Sequence, residues 1–262
     1  ALREGKIDLV VGTHALIQKD IIFKNLGFVI IDEQHRFGVK QRSELSSKGL
    51  NPHVLTMTAT PIPRTLSITY YGDMDISIID ELPGHRKQVI TRTIKPERLE
   101  NVYSFIAKEI TKGRQCIIVY PLIMETEKSD LKSAIEGHKN LSEKIFPQIQ
   151  VGLLYGTMKN KEKDLVMREF TENKIQLLVS TTVVEVGIDI PNATVMMVEH
   201  ADRFGLTQLH QLRGRVGRGS EQSYCILVQR NYSDISQKRL SIMEGTNDGF
   251  VISDEDLRIR GP

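Results

Sequence analysis

The chain has 262 residues, 40% of them hydrophobic and 26% charged, with a formal net charge of +2 and two cysteines. That length suits one large or two ordinary globular domains, and so mild a charge neither requires nor excludes an acidic partner. No apolar run approaches the roughly 20 residues that span a bilayer, which argues against a membrane-spanning helix. Cys116 and Cys225 each sit inside an apolar run and read as small buried hydrophobes of a reducing cytosol, not as a disulfide or a metal pair. The histidines show no metal-ligand spacing with them, and no signal peptide is evident. The chain begins at Ala1 without a methionine and stops at Arg260-Gly261-Pro262, so it is expected to be a piece of a longer protein.

Short β-branched runs alternate with amphipathic stretches of helical length, the pattern of βα units on parallel sheets. Strands are expected at 7–11 (IDLVV), 28–31 (FVII), 54–57 (VLTM) and 76–79 (ISII). Helices are expected at 39–48 and from Pro61 to about Tyr71, where proline is tolerated in the first turn. Residues 80–88 (DELPGHRKQ) are polar and contain Pro and Gly, as a linker would. A second series follows, with strands at 89–94, 115–119, 151–154, 176–180, 194–198 and 223–228. Its helices fit 96–112, 126–145, 159–173 and 206–213. Residues 231–262 stop alternating and look like a helical appendage.

Four stretches carry chemistry. Asp32-Glu33 ends the apolar run 28–31, and the carboxyl ends of parallel strands are where ligands bind. An aspartate there can hold Mg²⁺ and the next glutamate can orient or deprotonate a water. For the bare apolar-Asp-Glu pattern the simpler reading is a strand that exits into a polar, helix-capping turn, and His35 and Arg36 alone do not reverse it. Thr58-Ala59-Thr60 follows the next strand, where hydroxyls can bridge phosphate and nucleic-acid sites. Residues 181–192 (TTVVEVGIDIPN) form a loop in which Gly187 permits a tight turn and Glu185 or Asp189 could take ribose hydroxyls or a cation. Finally, residues 210–219 (HQLRGRVGRG) interleave Arg213, Arg215 and Arg218 with three glycines. Guanidinium groups stay charged, so these arginines form either a polyphosphate grip or a solvated basic face. The sequence contains neither GxxxxGK[ST] nor GxSxG, so either a phosphate cradle lies outside it or the protein does not hydrolyse nucleotide.

Taken in order, these stretches resemble the superfamily 2 helicases. Asp32-Glu33-Gln34-His35 looks like the Walker B motif and Thr58-Ala59-Thr60 like the coupling motif. Residues 180–190 look like motif V, and Gln211 to Arg218 like motif VI. The match is closer to the RecG-type branch-migration helicases, through DEQHRFGVKQR (32–42), MTATPIPRTL (57–66), YYGDMDISIIDELP (70–83), residues 181–219 and NDGFVISDEDLRIRGP (247–262). One departure lies in the linker, where Pro83 runs straight into Gly84.

This resemblance implies an α/β fold of two RecA-like P-loop NTPase lobes with parallel sheets. The first lobe, residues 1–82, would be truncated at its N-terminus. A linker at 83–93, a second lobe at 94–230 and the start of a helical translocation region at 231–262 would follow. It implies ATP and Mg²⁺ as cofactors. Asp32 would coordinate the metal and Glu33 activate water, Gln211 would sense the γ-phosphate, and Arg215 and Arg218 would act as arginine fingers. Glu185, Gly187 and Asp189 would belong to the nucleotide-facing loop, and His35, Thr58 and Thr60 to coupling with DNA. The implied activity is that of a double-stranded DNA translocase on stalled forks and Holliday junctions. It would work in the bacterial cytoplasm with the nucleoid, with single-strand DNA-binding protein as the partner that family analogy implies. Two other readings are a transcription-repair coupling translocase and a non-catalytic DNA-binding scaffold with a decayed motor.

Overall fold

The computed structural model describes residues 1–33, 44–59, 74–79, 81, 83–84, 86–121, 127–182 and 190–260. They form two compact units, Ala1–Pro61 and Ile62–Pro262. The unit boundary falls earlier in the chain than the lobe boundary expected from the linker composition.

In the first unit, β1 (Phe28–Ile31) pairs in parallel with β2 (His53–Thr56), Phe28 opposite His53 and Ile31 opposite Thr56. Side chains alternate across a strand, so Val29 and Ile31 point into the unit while Phe28 and Ile30 stay exposed. Lys48 ties the segments together, its Nζ donating to the carbonyls of Gln18 at 2.6 Å and Ile21 at 2.7 Å.

Two expected strands are absent. Residues 7–11 are irregular, with Leu9 79% and Val11 89% exposed, and 76–79 are irregular with Ile79 94% exposed. Neither run pairs with a neighbouring strand. β-Branched composition without a ladder partner and a buried face does not make a strand. Of the expected helix at 39–48, residues 44–46 are helical and 39–43 lie outside the described residues. The expected helix from Pro61 to Tyr71 lies outside them altogether.

The second unit is built on six parallel strands in the order β3-β8-β7-β4-β6-β5. They are β3 (Ile90–Ile94), β4 (Gln115–Val119), β5 (Val151–Leu154), β6 (Leu177–Ser180), β7 (Ala193–Val198) and β8 (Tyr224–Val228). Helices α1 (Leu99–Thr111), α2 (Glu127–Asn140), α3 (Asn160–Thr171) and α4 (Leu206–Arg213) alternate with them. This is the α/β architecture that the alternating pattern predicts, with bounds shifted by a residue or two. The stretch 96–112 opens with a 3-10 turn, Pro96–Arg98, and 126–145 ends in a π turn, Leu141–Ile145.

The central strands β4, β6 and β7 are buried along their whole length, as parallel strands covered on both faces must be. β7 splits its side chains between two cores. Met196 and Val198 join Phe170, Leu206, Leu209 and Leu212 on one face, and Val195 and Met197 join Ile106, Ile118 and Leu141 on the other. Its register against β4 slips at the start: Gln115 pairs with Ala193 but Cys116 with Val195, so Thr194 is an extra residue bulged out of the ladder.

The expected appendage is two helices, α5 (Asp234–Gly245) and α6 (Gly249–Arg260). Leu240, Met243 and Ile252 extend the core that holds α4, and Thr207 of α4 donates to Asp256 of α6 at 3.0 Å. At the sheet's open side the Thr93 amide donates to the Glu244 carboxylate of α5.

Candidate nucleotide and nucleic-acid site

In the first unit the parallel pairing brings two predicted stretches to one sheet end. Asp32-Glu33 follows β1 directly, and the Met57 amide donates to the Ile31 carbonyl at 2.8 Å, so Thr58 leaves β2 at the same carboxyl end. Asp32 is exposed, and its Oδ1 accepts from the Glu33 amide at 2.8 Å. Glu33 is half-buried in the left-handed region at φ 50°. That conformation costs a non-glycine residue about 1 kcal/mol or more, and such strain gathers at functional turns. Among the described residues no group of three or more His, Cys, Asp and Glu could enclose a metal ion. Mg²⁺ needs no such cage, since one or two carboxylates suffice when waters and phosphates supply the rest. The hard, exposed oxygens of Asp32 suit that role. His35 and Thr60 lie outside the described residues.

In the second unit the arginine-rich stretch begins on α4. Leu206, Leu209 and Leu212, three apart, are fully buried and set which face of the helix meets the core. Gln211 is half-buried. Past Arg213 the chain tightens into a loop. The Arg215 amide donates to the Leu212 carbonyl at 2.9 Å, Val216 is buried, and Arg218 Nε donates to the Gly214 carbonyl at 3.2 Å. Gly217 takes φ 78°, and a Cβ there would lie 2.7 Å from Cγ2 of Val89. Arg215 and Arg218 are both half-buried on this loop.

Arg213 is corrected by the structure. It is no part of a solvated basic face: it is 3% exposed, and Nη1 donates to Thr91 Oγ1, to Met243 O at 2.9 Å and to Thr246 O at 2.8 Å. Its Nη2 lies 3.0 Å from Nδ1 of His210. Burial, and then the Arg213 guanidinium, push the His210 ring down to about 4, so it is neutral at pH 7 and accepts that bond. Burial lowers Arg213 as well.

The loop 181–192 is described only at its ends. Thr181 and Thr182 leave the carboxyl end of β6, and Ile190-Pro191-Asn192 lead into β7; Glu185, Gly187 and Asp189 lie outside the described residues. The exit is held firmly. Asn192 Nδ2 donates to the Gly113 carbonyl at 2.9 Å and to Gln115 Oε1 at 3.3 Å, while the Gln115 amide donates to the Asn192 carbonyl at 3.0 Å.

Sequence reasoning missed a second strand-end carboxylate. Glu199 closes β7 as Asp32 closes β1, but it is buried and accepts from Arg230 Nε at 3.0 Å. Their own burial first, and then the Glu199 charge, raise the Tyr103 hydroxyl and hold that of Tyr120 well above the usual tyrosine range. The signal was available in VMMVE at 195–199, an apolar run ending in an acid. Cys116 and Cys225 are free and buried, as their apolar runs imply.

The DEAD/DEAH box helicase family matches residues 1–68, and the helicase conserved C-terminal domain family matches residues 95–220. The ATP-dependent DNA helicase RecG of Synechocystis sp. is 55% identical over 261 residues, covering 100% of this chain and 31% of the relative. RecG of Thermotoga maritima is 52% identical, covering 100% and 34%, and RecG of Bacillus subtilis 54%, covering 100% and 38%. The chain thus spans about a third of the length of these relatives. A solved structure of RecG bound to a three-way DNA junction is 49% identical with a TM-score of 0.80, covering 100% of this chain and 34% of that one. S. cerevisiae Dbp5 bound to RNA and ADP BeF3, at 14% identity and a TM-score of 0.63, shares the fold. The whole-chain identity and the order of the motifs give the same answer: the chain belongs to the RecG family of superfamily 2 helicases.

Proposed function

We propose that this chain is the motor segment of an ATP-dependent helicase that translocates on double-stranded DNA and remodels branched junctions, stalled forks and Holliday junctions among them. The observation that carries the reading is the 52–55% identity, over the full chain, to helicases named RecG. A related protein of 49% identity bound to a three-way DNA junction supports branched DNA as the substrate. On this reading residues 1–82 belong to the first lobe, 83–93 to the linker, 94–230 to the second lobe and 231–262 to the start of the translocation region. The protein works in the bacterial cytoplasm, and single-strand DNA-binding protein is the partner that the family resemblance suggests.

Asp32 would hold Mg²⁺ together with the nucleotide phosphates, and the ion when bound neutralises charge on the transferred group. Glu33, beside it at the same strand end, orients the attacking water and takes its proton. Arg215 and Arg218 stabilise the charge that develops on the γ-phosphoryl oxygens. Gln211 reports the γ-phosphate, Glu185, Gly187 and Asp189 serve nucleotide binding, and His35, Thr58 and Thr60 relay the nucleotide's state toward DNA. DNA contacts fall mainly on phosphates, so binding is salt-sensitive and independent of sequence.

The test uses the full-length protein. Arg218→Ala should cut DNA-stimulated ATP hydrolysis by about 10³–10⁵-fold, the usual worth of an arginine finger, while nucleotide affinity stays near that of the parent. Unchanged turnover would remove Arg218 from this role.

A further inference from the structure

The exit of the loop 181–192 and the arginine loop meet at one point. A Cβ on Gly219 would lie 2.8 Å from the Pro191 carbonyl oxygen and 3.6 Å from its carbon. Real Cβ atoms do not approach backbone that closely, and here the neighbour is main chain, which cannot swing aside as a flexible side chain would. Gly219 directly follows Arg218, and Pro191 directly precedes Asn192.

Asn192 is fixed in turn. Its side chain donates to Gly113 O and Gln115 Oε1. Gln115 is 1% exposed, and its Nε2 donates to the carbonyls of Phe170 at 2.5 Å and Ile175 at 2.7 Å. The Ala193 amide closes a turn on the Ile190 carbonyl at 3.0 Å, and the bulged Thr194 sets the register that leaves Asn192 over the start of β4. A second strut joins the same places, Arg114 Nη2 to Glu221 at 2.8 Å. Both lie on the amino edge of the sheet, beside β4 and beyond the arginine loop. Nothing in this set is a nucleotide ligand. Each contact locates backbone.

We propose that Asn192 and Gly219 are positioning residues for Arg218: the Gln115–Asn192 clamp makes Pro191 a fixed abutment, and the bare Cα of Gly219 lets the arginine loop seat against it. The inference rests on the arginine role proposed above. Moving the loop exit then moves Arg218, so Pro191-Asn192 and the arginine loop shift as one piece. Displacements of about 1 Å in a catalytic group cost around 10²-fold in rate, whereas ground-state nucleotide binding does not depend on a group that acts on developing charge.

In the full-length protein, Gly219→Ala should lower the DNA-stimulated kcat by about 10²-fold with KM for ATP within a few-fold of the parent. It should weaken binding of the transition-state mimic ADP–aluminium fluoride in the same proportion while leaving ADP affinity intact. Asn192→Asp, of equal size but with no donor for Gly113 and Gln115, should act in the same direction. Without nucleotide, both variants should speed hydrogen exchange at the Gln115 and Ala193 amides. Slower turnover with a proportionate rise in KM and equal loss of ADP affinity would mark a merely structural role and overturn the proposal. So would parent-like turnover and exchange. Arg218→Ala run in parallel separates the two readings. If it is silent, the arginine role itself fails; if it is inactive while Gly219→Ala and Asn192→Asp behave as the parent, only the abutment fails.

Discussion

His210 and Arg213 lie in the arginine-rich stretch and yet serve the core. With its folded value near 4 against an ordinary value of 6.5, the His210 ring refuses a proton that the unfolded chain accepts. The unfolded state therefore binds more protons between pH 6.5 and 4, and stability falls as pH falls through that window. Below it both states are charged and the difference stays constant. His210→Gln keeps an acceptor for Arg213 but does not titrate. The parent's lead in melting temperature over this variant should shrink from pH 7 to pH 4.5, and a lead that does not change with pH would remove His210 as the cause. The sequence could not reveal this pair. Arg213, Arg215 and Arg218 look alike in HQLRGRVGRG, and only α5, which supplies Met243 O and the following Thr246 O, separates the first from the other two.

At the scale of elements, α2 lies close to Tyr120, the residue after β4, because Gly137 has no side chain. A Cβ there would lie 2.2 Å from the Tyr120 hydroxyl and 2.5 Å from Cζ. Glycine to alanine inside a helix ordinarily gains about 1 kcal/mol. Displacing a rigid, mostly buried ring costs about 1–3 kcal/mol, so the second effect wins. Gly137→Ala should lower stability in urea unfolding, and in a Tyr120→Leu background the same change should raise it. A stabilised single variant would show that the ring yields without cost. The central strands were legible because β4, β6 and β7 are continuous apolar runs, which only a sheet covered on both faces can use. The failures at 7–11 and 76–79 have the opposite cause: their composition is strand-like, but pairing is a non-local property that no window of five residues contains. Helix α4 was legible to the residue, from leucines three apart that stop at a glycine.

At the scale of the whole chain, the acidic strand end and the arginine loop lie on different compact units, and each unit's own sheet explains where its residues stand. The order of the motifs made the family readable, whereas their spatial assembly was not, since the stretches that join the strands have no repeating pattern. The 262 residues contain no GxxxxGK[ST] loop to cradle phosphates. Taken alone, they should hydrolyse ATP at the background rate with or without DNA, as measured by phosphate release. Robust DNA-stimulated turnover would mean that another backbone cradle does the same work.

The bond from the Thr93 amide to Glu244 has a consequence for how this chain behaves in a crowd. β3 is an edge strand, and an edge offers unpaired amides to any extended segment that drifts alongside. At Thr93 that offer is withdrawn, because the donor already faces a carboxylate from the chain's own helix. An incoming strand would find a negative charge where it needs a hydrogen to share. The contact that seats α5 thus also closes one position of the sheet's edge to a second strand.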